Sequence, residues 1–383
     1  MRTKRPFQLW LIFYCLLATL WPRPAAAQAL PAALKLQPAT TVFPTTEFYV
    51  AQVLDQRPQP AAVAWLLTAA PKPGQPAIMR AVDLLGGGLA AVRAFIGQSL
   101  PRTGRRPLTV RLLECRVSEN TTPGQPAQVD GRVEIKMAFE WQREGKTVFL
   151  TDYYGAARYQ RPLAQTAVVE PALRQALTEA VRYLHQWVQA QAPTSLKLAT
   201  GLRLRFTDAT EQTQPDTLFY DPARPLRFAD FTAPPRTGPY AAAVFPSFAY
   251  AGQPRVVHGV LQLDLQLKVF VVRSSSWAAS QDAYTLNHEQ RHFDLVKLVA
   301  ERFKRRLTPE RMNLQDYNSI LQYEYLVAFQ EMNRLQEQYD AETRGGQDTA
   351  AQESWNQRIE RELLQYGVKR SGKLSAATPE PGP

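Results

Sequence analysis

Hydrophobic and polar positions alternate most cleanly over residues 132–142, where Val133, Ile135, Met137, Phe139 and Trp141 share one face and Glu134, Lys136, Ala138 and Glu140 the other. A period of two marks a strand with one buried face. Residues 108–117 and 147–159 read the same way, and the turn Arg143-Glu144-Gly145-Lys146 joins the last two segments, so an antiparallel block is expected. Residues 47–54 read as a further strand. The period lengthens to that of a helix at 77–100, around Gly86-Gly87-Gly88, and at 166–191, where Val169, Leu173, Leu177, Val181, Leu184 and Trp187 form one stripe. Residues 47–195 thus read as an α+β unit of β-α-β-β-β-α order. Its three glycines lack the second glycine and the Lys-Ser/Thr pair of a phosphate loop, and point to flexibility or close packing instead. His185, beside the helical stripe, reads as a packed or surface histidine, and the unit carries no chemistry that its residues identify.

A second unit, 196–366, opens on the strand-like 201–206 and contains the longest alternating run of the chain, 260–271. Helical patterns follow at 280–307, 314–339 and 347–364, so the order is strands and then three helices. Residues 28–46, rich in Pro, Ala and Thr, read as an extended leader, and the polar 367–383 as a disordered tail.

Length and composition agree with two packed domains: 383 residues, 45% hydrophobic and 21% charged. Arg2, Lys4 and Arg5 precede an apolar run over 9–21 and small residues at A-x-A spacing near Ala27, the pattern of a cleaved export signal spanning 1–27. Thirteen apolar residues are too few to span a bilayer, so contact with the membrane is expected only during export, into the periplasm or beyond. Removing Arg2, Lys4, Arg5 and Arg23 lowers the net charge from +11 to +7, and Cys115 becomes the one remaining thiol, which excludes an intrachain disulfide. No zinc-finger spacing or aromatic-interleaved basic repeat marks a nucleic-acid partner. Arg302, Lys304, Arg305, Arg306 and Arg311 read as a solvated helix face. No pattern sets an oligomeric state.

Histidine is scarce, 4 in 383 residues, yet two of the four lie in His288-Glu289-Gln290-Arg291-His292. Residues four apart on a helix share a face, so both imidazoles can reach one Zn2+, and Glu289, about 100° round, can reach a water activated by it. Zinc lowers the pKa of water towards about 7. A carboxylate can then take the proton and pass it to the leaving amine, the chemistry of peptide-bond hydrolysis. Leu295, Val296, Val299 and Phe303 continue the histidine face as an apolar stripe, with Arg291, Lys297, Glu301 and Arg305 expected around the other side. The plainer reading is two surface histidines beside an ordinary glutamate. A carbohydrate hydrolase is less well supported, since no pair of carboxylates stands out.

Residues 200–365 resemble a bacterial family of predicted secreted zinc-dependent proteases, catalogued as a domain of unknown function. The resemblance is carried by 226–231, Ser276-Trp277, the run Leu286-Asn287-His288-Glu289-Gln290-Arg291-His292-Phe293-Asp294, Tyr339-Asp340-Ala341-Glu342-Thr343 and Trp355-Asn356. It implies a zincin-like domain with His288 and His292 as zinc ligands, Glu289 as catalytic base and a peptide or protein as substrate. It implies nothing for 28–195. The family pattern continues to a His-Gly pair, whereas this chain has Gly345-Gly346, so the histidine that would complete the site is absent. Catalytic zinc takes three protein ligands and leaves one position open. Glu342 is the favoured replacement; Asp340, Glu324, Glu331 and His258 are the alternatives, and Asp294 is expected to orient a histidine or make a local bond. Two readings follow: an exported zinc metallopeptidase, or a non-catalytic envelope binding or scaffold protein on the same fold with a degraded metal site.

Overall fold

The computed structural model describes residues 32–69 and 77–369. The expected signal, the first residues of the leader and 370–383 lie outside the described residues. The chain is α+β and divides into two units between Leu198 and Ala199.

The first unit is a seven-stranded mixed sheet covered by two helices. Its elements are β1 (Ala33–Leu34), β2 (Phe48–Asp55), β3 (Ala64–Ala69), β4 (Ile78–Leu84), α1 (Gly88–Ser99), β5 (Arg106–Thr122), β6 (Gln125–Arg143), β7 (Lys146–Pro162) and α2 (Val169–Gln191). The order across the sheet is β1-β4-β3-β5-β6-β7, with β2 parallel to the first half of β5. The alternation seen in the sequence is the pairing itself: Val110 faces Phe139, Cys115 faces Ile135 and Val117 faces Val133. A bulge between Leu112 and Glu114 shifts the phase, so the buried positions run 108, 110, 112 and then 115, 117. Glu144 and Gly145, both at positive φ, close the β6–β7 hairpin.

One expectation changes here. Residues 78–84 form a strand rather than the first half of a helix, because β3 is available to pair with them antiparallel; the helix begins only at Gly88, after Gly86 and Gly87 turn the chain at φ of +84° and +95°. The described part of the leader is extended and packs on the sheet: Leu34 is buried in β1, Phe43 donates its N–H to Ser99 O, and Thr45 accepts a bond from Gln189. His185 meets Pro44 O and the Phe43 ring, a packing role. Cys115 is buried, and burial pushes its thiol up to about 12, so it stays protonated at neutral pH.

An ion pair closes one end of this sheet. Arg161 and Glu119, 1% and 0% exposed, meet at 2.7 Å. Glu119 also accepts from Tyr159 Oη and Leu67 N, while Arg161 donates to the carbonyls of Leu67, Leu163 and Gln165. One pair therefore ties β3, β5 and β7 together.

The second unit contains β8 (Gly201–Asp208), β9 (Thr217–Phe219), β10 (Ala242–Ala243), β11 (Pro246–Ala251), β12 (Arg255–Val257), β13 (Val260–Val272), β14 (Trp277–Ala278), α3 (Ala283–Arg306), α4 (Tyr317–Thr343) and α5 (Thr349–Gln365). The long strand β13 is its hub: β8 runs parallel and β9 antiparallel along one edge, β12 and β11 antiparallel along the other. Its buried face, Leu261 to Val271 at every second residue, packs with Phe293, Val296, Val299 and Phe303 of α3. The basic cluster is a solvated face only in part: Arg305 and Arg311 are exposed, but its other members are half-buried and paired. Arg302 pairs with Glu331 and Glu362, Arg306 with Glu324 and Glu331, and Lys304 with Asp208 and Glu301.

Arg161→Met, which strands the buried Glu119 carboxylate, should lower stability by about 3–5 kcal/mol in urea unfolding of the full chain. A loss below about 1 kcal/mol would show that the pair is not needed. Asp282 caps α3 by accepting from Thr285 N, and bonds from Ser280 and Thr285 hold its carboxyl down at about 2, against opposing burial. A depressed pKa contributes stability above the unfolded value of 3.8 and loses it as pH falls through about 2. Asp282→Ala should therefore cost about 1 kcal/mol at neutral pH. The difference between the two proteins should close across that acid window.

Candidate metal centre

Helix α3 is buried at every residue from His288 to Glu301 and becomes partly exposed from Arg302 onward. The polar flank expected at Arg291 and Lys297 is therefore an interior one, and it is paired: Arg291 with Asp294 and Glu360, Lys297 with Asp208 and Glu301. Such groups can be buried only when partners meet them.

His288 and His292, one turn apart, turn their Nε2 atoms toward Asp340 of α4. Asp340 Oδ1 lies 2.9 Å from His292 Nε2 and 3.3 Å from His288 Nε2. Ligand atoms of all three residues fall within 4.8 Å of one another. The opposite ring nitrogens are fixed from two helices, His288 Nδ1 at 2.8 Å from Gln352 Oε1 of α5 and His292 Nδ1 at 2.9 Å from Gln336 Oε1 of α4. With each amide oxygen accepting, each Nδ1 carries a proton, and each Nε2 either donates a second proton to the carboxylate or, in the neutral ring, presents a lone pair. With both rings neutral, three electron-rich atoms face one another, an arrangement that a cation would resolve. The charges respond accordingly. Burial alone would push the His292 imidazole down, yet its bond to Asp340 carries it up; Asp340, despite burial, is driven below the ordinary carboxylate range by the two histidines. Two imidazoles and one carboxylate oxygen fit Zn2+ in donor type and number. Tyr339, whose ring stacks on His288 at 4.8 Å and meets His292 edge-on, forms the floor.

Glu289 points to the other side of the histidine pair. Its Oε2 accepts the N–H of Val244 at 2.7 Å, and burial raises its carboxyl above the usual range, with both histidines opposing. The Val244 segment is pinned from behind: β10 pairs with β14, and Phe245 N–H donates to Ser276 Oγ. Between this segment and α4 lies a cavity of about 550 Å³, onto which His288, Glu289, His292 and Asp340 all open.

The stretches that carry the family resemblance meet around the histidines. Ser276-Trp277 holds the Val244 wall. Leu226 N–H donates to Gln290 Oε1, and Asn356 Oδ1 accepts from Arg291 and Gln352. Glu342, the favoured third ligand, is not in the cluster. It lies on the outer side of α4, where it accepts bonds from Trp355 Nε1 and Gln338. Asp340 takes the place because it is four residues from Gln336 and so shares its helix face. Glu324 and Glu331 are spent on Arg302 and Arg306. His258 is exposed at positive φ in the β12–β13 turn. Asp294 accepts bonds from Gln290 and Arg291 within its own helix and from Tyr220 Oη, 74 residues away. At Gly345, where the family pattern has histidine, φ is +63° and an added Cβ would come within 2.9 Å of the Tyr240 ring. The two glutamines and the Val244 amide were not anticipated; the spacing of Gln336 and Asp340 was the available signal, and Gln352 had none.

No family model matches this chain, and no curated protein matches it. Among solved structures it is similar to a Xanthomonas campestris protein assigned to DUF330, at 15% identity over 42% of this chain and 92% of the other, with a TM-score of 0.26. An uncharacterized protein matches at 8% identity over 41% and 99%, with a TM-score of 0.23. A minor lipoprotein from Acinetobacter baumannii matches at 16% identity over 27% and 75%, with a TM-score of 0.18. Likenesses of this size define neither the fold nor the chemistry of the chain. No helix among the described residues is long and apolar enough to cross a membrane.

Gly346 has a φ of +83°, and a Cβ there would stand 3.2 Å from the His288 ring. Gly346→Ala should cost about 1–2 kcal/mol in thermal or urea unfolding. Unchanged stability would show that the loop is free to move away from the histidine.

Proposed function

We propose that this chain is an exported, zinc-dependent peptide hydrolase whose zincin-like second unit holds Zn2+ through His288, His292 and Asp340. The observation that carries the reading is the convergence of two Nε2 atoms, each fixed by a glutamine at Nδ1, on one Asp340 oxygen beside an open cleft. When bound, zinc supplies a Lewis acid that acidifies water and polarises a carbonyl. The protein does the rest. Gln336 and Gln352 hold the histidines in one tautomer and orientation. Glu289, raised by burial, is suited to take a proton from the attacking water and deliver it to the departing amide nitrogen. The Val244 N–H keeps one Glu289 oxygen in place and leaves the other for that exchange. A second reading, a peptide-binding protein without hydrolysis, is favoured by the same bond, since it occupies part of the base.

Reconstituted with zinc, the full chain should bind one equivalent by elemental analysis. Asp340→Ala and His292→Ala should lose it, and Glu342→Ala should keep it. Glu289→Gln should retain zinc and lose about 10²-fold or more in cleavage of a peptide library. Gln336→Ala and Gln352→Ala should weaken zinc affinity by about 10- to 100-fold. Affinity should also fall as pH drops, because the imidazoles must be neutral to bind. Zinc retained by Asp340→Ala would refute the ligand set; zinc bound without Glu289-dependent cleavage would leave the second reading.

A further inference from the structure

We infer that the cleft selects an extended peptide segment carrying a bulky apolar side chain seated against Phe329 and Met332, and that it rejects acidic residues beside it. This names the substrate class of the site proposed above and rests on that reading.

The first observation is the charge of the lining. The chain as a whole is basic, with 45 Lys and Arg against 34 Asp and Glu, yet the cavity is lined by Glu289, Glu337 and Asp340 and by no lysine or arginine. Zinc held by His288, His292 and Asp340 would take up the Asp340 charge, so beside the metal it is Glu337 on the α4 wall that meets an acidic substrate side chain with like charge. Neutral or basic residues meet no like charge there, and Glu337 offers a basic one an ion pair.

The second is the grading of the α4 wall. Phe329, Met332, Gln336 and Asp340 follow one another at helical spacing and all face the cleft. Gln336 marks the level of His292, to which it is bonded. Met332 lies one turn further, about 6 Å along the axis, and Phe329 most of a turn beyond. An extended chain advances about 3.3 Å per residue. For a peptide running along α4, the apolar end of the wall therefore sits about two to three residues from the level of His292, within reach of a side chain near the bond to be cut.

The third is the exposure of large apolar groups on both walls. Phe245 is 56% exposed, Tyr284 39% and Phe329 36%, all around one opening. Single exposed aromatics are ordinary, but several converging on a concave site mark apolar recognition. Ala241, Ala242 and Ala243 put little bulk on the wall opposite α4, which leaves width for a large side chain and for the peptide backbone.

Phe329 is the residue to vary, because it is on the rim while Met332 is buried. The test uses the zinc-loaded full chain and a library of fluorescently labelled decapeptides varied one position at a time. Cleavage by the wild type and binding by Glu289→Gln, through fluorescence anisotropy, are read separately. Leu, Met or Phe within three residues of the cut should be preferred over Asp or Glu by about tenfold or more. Phe329→Lys should erase that preference and Phe329→Leu should keep it. Cleavage with no such preference, or a profile that Phe329→Lys leaves unchanged, overturns this inference while the hydrolase reading stands. Selective binding of apolar peptides without cleavage supports this inference and overturns the hydrolase reading. Neither binding nor cleavage of any peptide overturns both.

Discussion

Two buried imidazoles and a carboxylate at the edge of a cleft must be held in one mutual orientation, and the second unit is arranged around that constraint. The Nε2 atoms of His288 and His292 and the carboxylate of Asp340 face one another, while Gln336 and Gln352 hold the opposite ring nitrogens. A proton shared with Asp340 or a bound cation satisfies the cluster. The cluster also requires all three helices at once. Helix α3 brings the imidazoles, α4 brings Asp340 and Gln336, α5 brings Gln352, and Tyr339 packs beneath both rings. Helix α3 is therefore enclosed, and every charge on its enclosed stretch needs a partner from elsewhere.

The same demand appears in the first unit, where Arg161 and Glu119 are buried at the junction of three strands. Both units answer it similarly, surrounding each charged group with several bonds rather than one. Arg291 reaches Asp294, Glu360 and Asn356. Arg161 reaches Glu119 and several carbonyls. Removing one member of such a set leaves a bare charge inside the protein, which is why these sets tie the arrangement of elements so firmly. Among the described residues no disulfide shares that task, since Cys115 is a lone buried thiol.

Local periodicity was a good guide where one face of an element is buried and the other is wet. The β5–β6–β7 strands, α2, β13 and the three final helices were all legible on that basis. It misled where burial is decided by distant partners. Residues 78–84 have small and apolar side chains that suit a helix, but β3 offers them a backbone ladder. Helix α3 has an amphipathic pattern, yet Lys297 and Arg291 are inside because Asp208 and Glu360, far away in sequence, come to meet them.

For the site, the sequence alone determined the His288-Glu289-x-x-His292 turn, because a helix of fixed pitch places residues four apart on one face whatever surrounds it. Tertiary structure decided the rest. Asp340 and Glu342 both lie near the expected third position in the chain, and the packing of α4 against α3 turns the first inward and leaves the other bonded to Trp355. Gln336, Gln352 and the Val244 amide act through contacts spanning 44 to 64 residues, which no local spacing encodes. A single helix can line up ligands, but closing a shell around them takes chain segments that meet only when the whole unit packs.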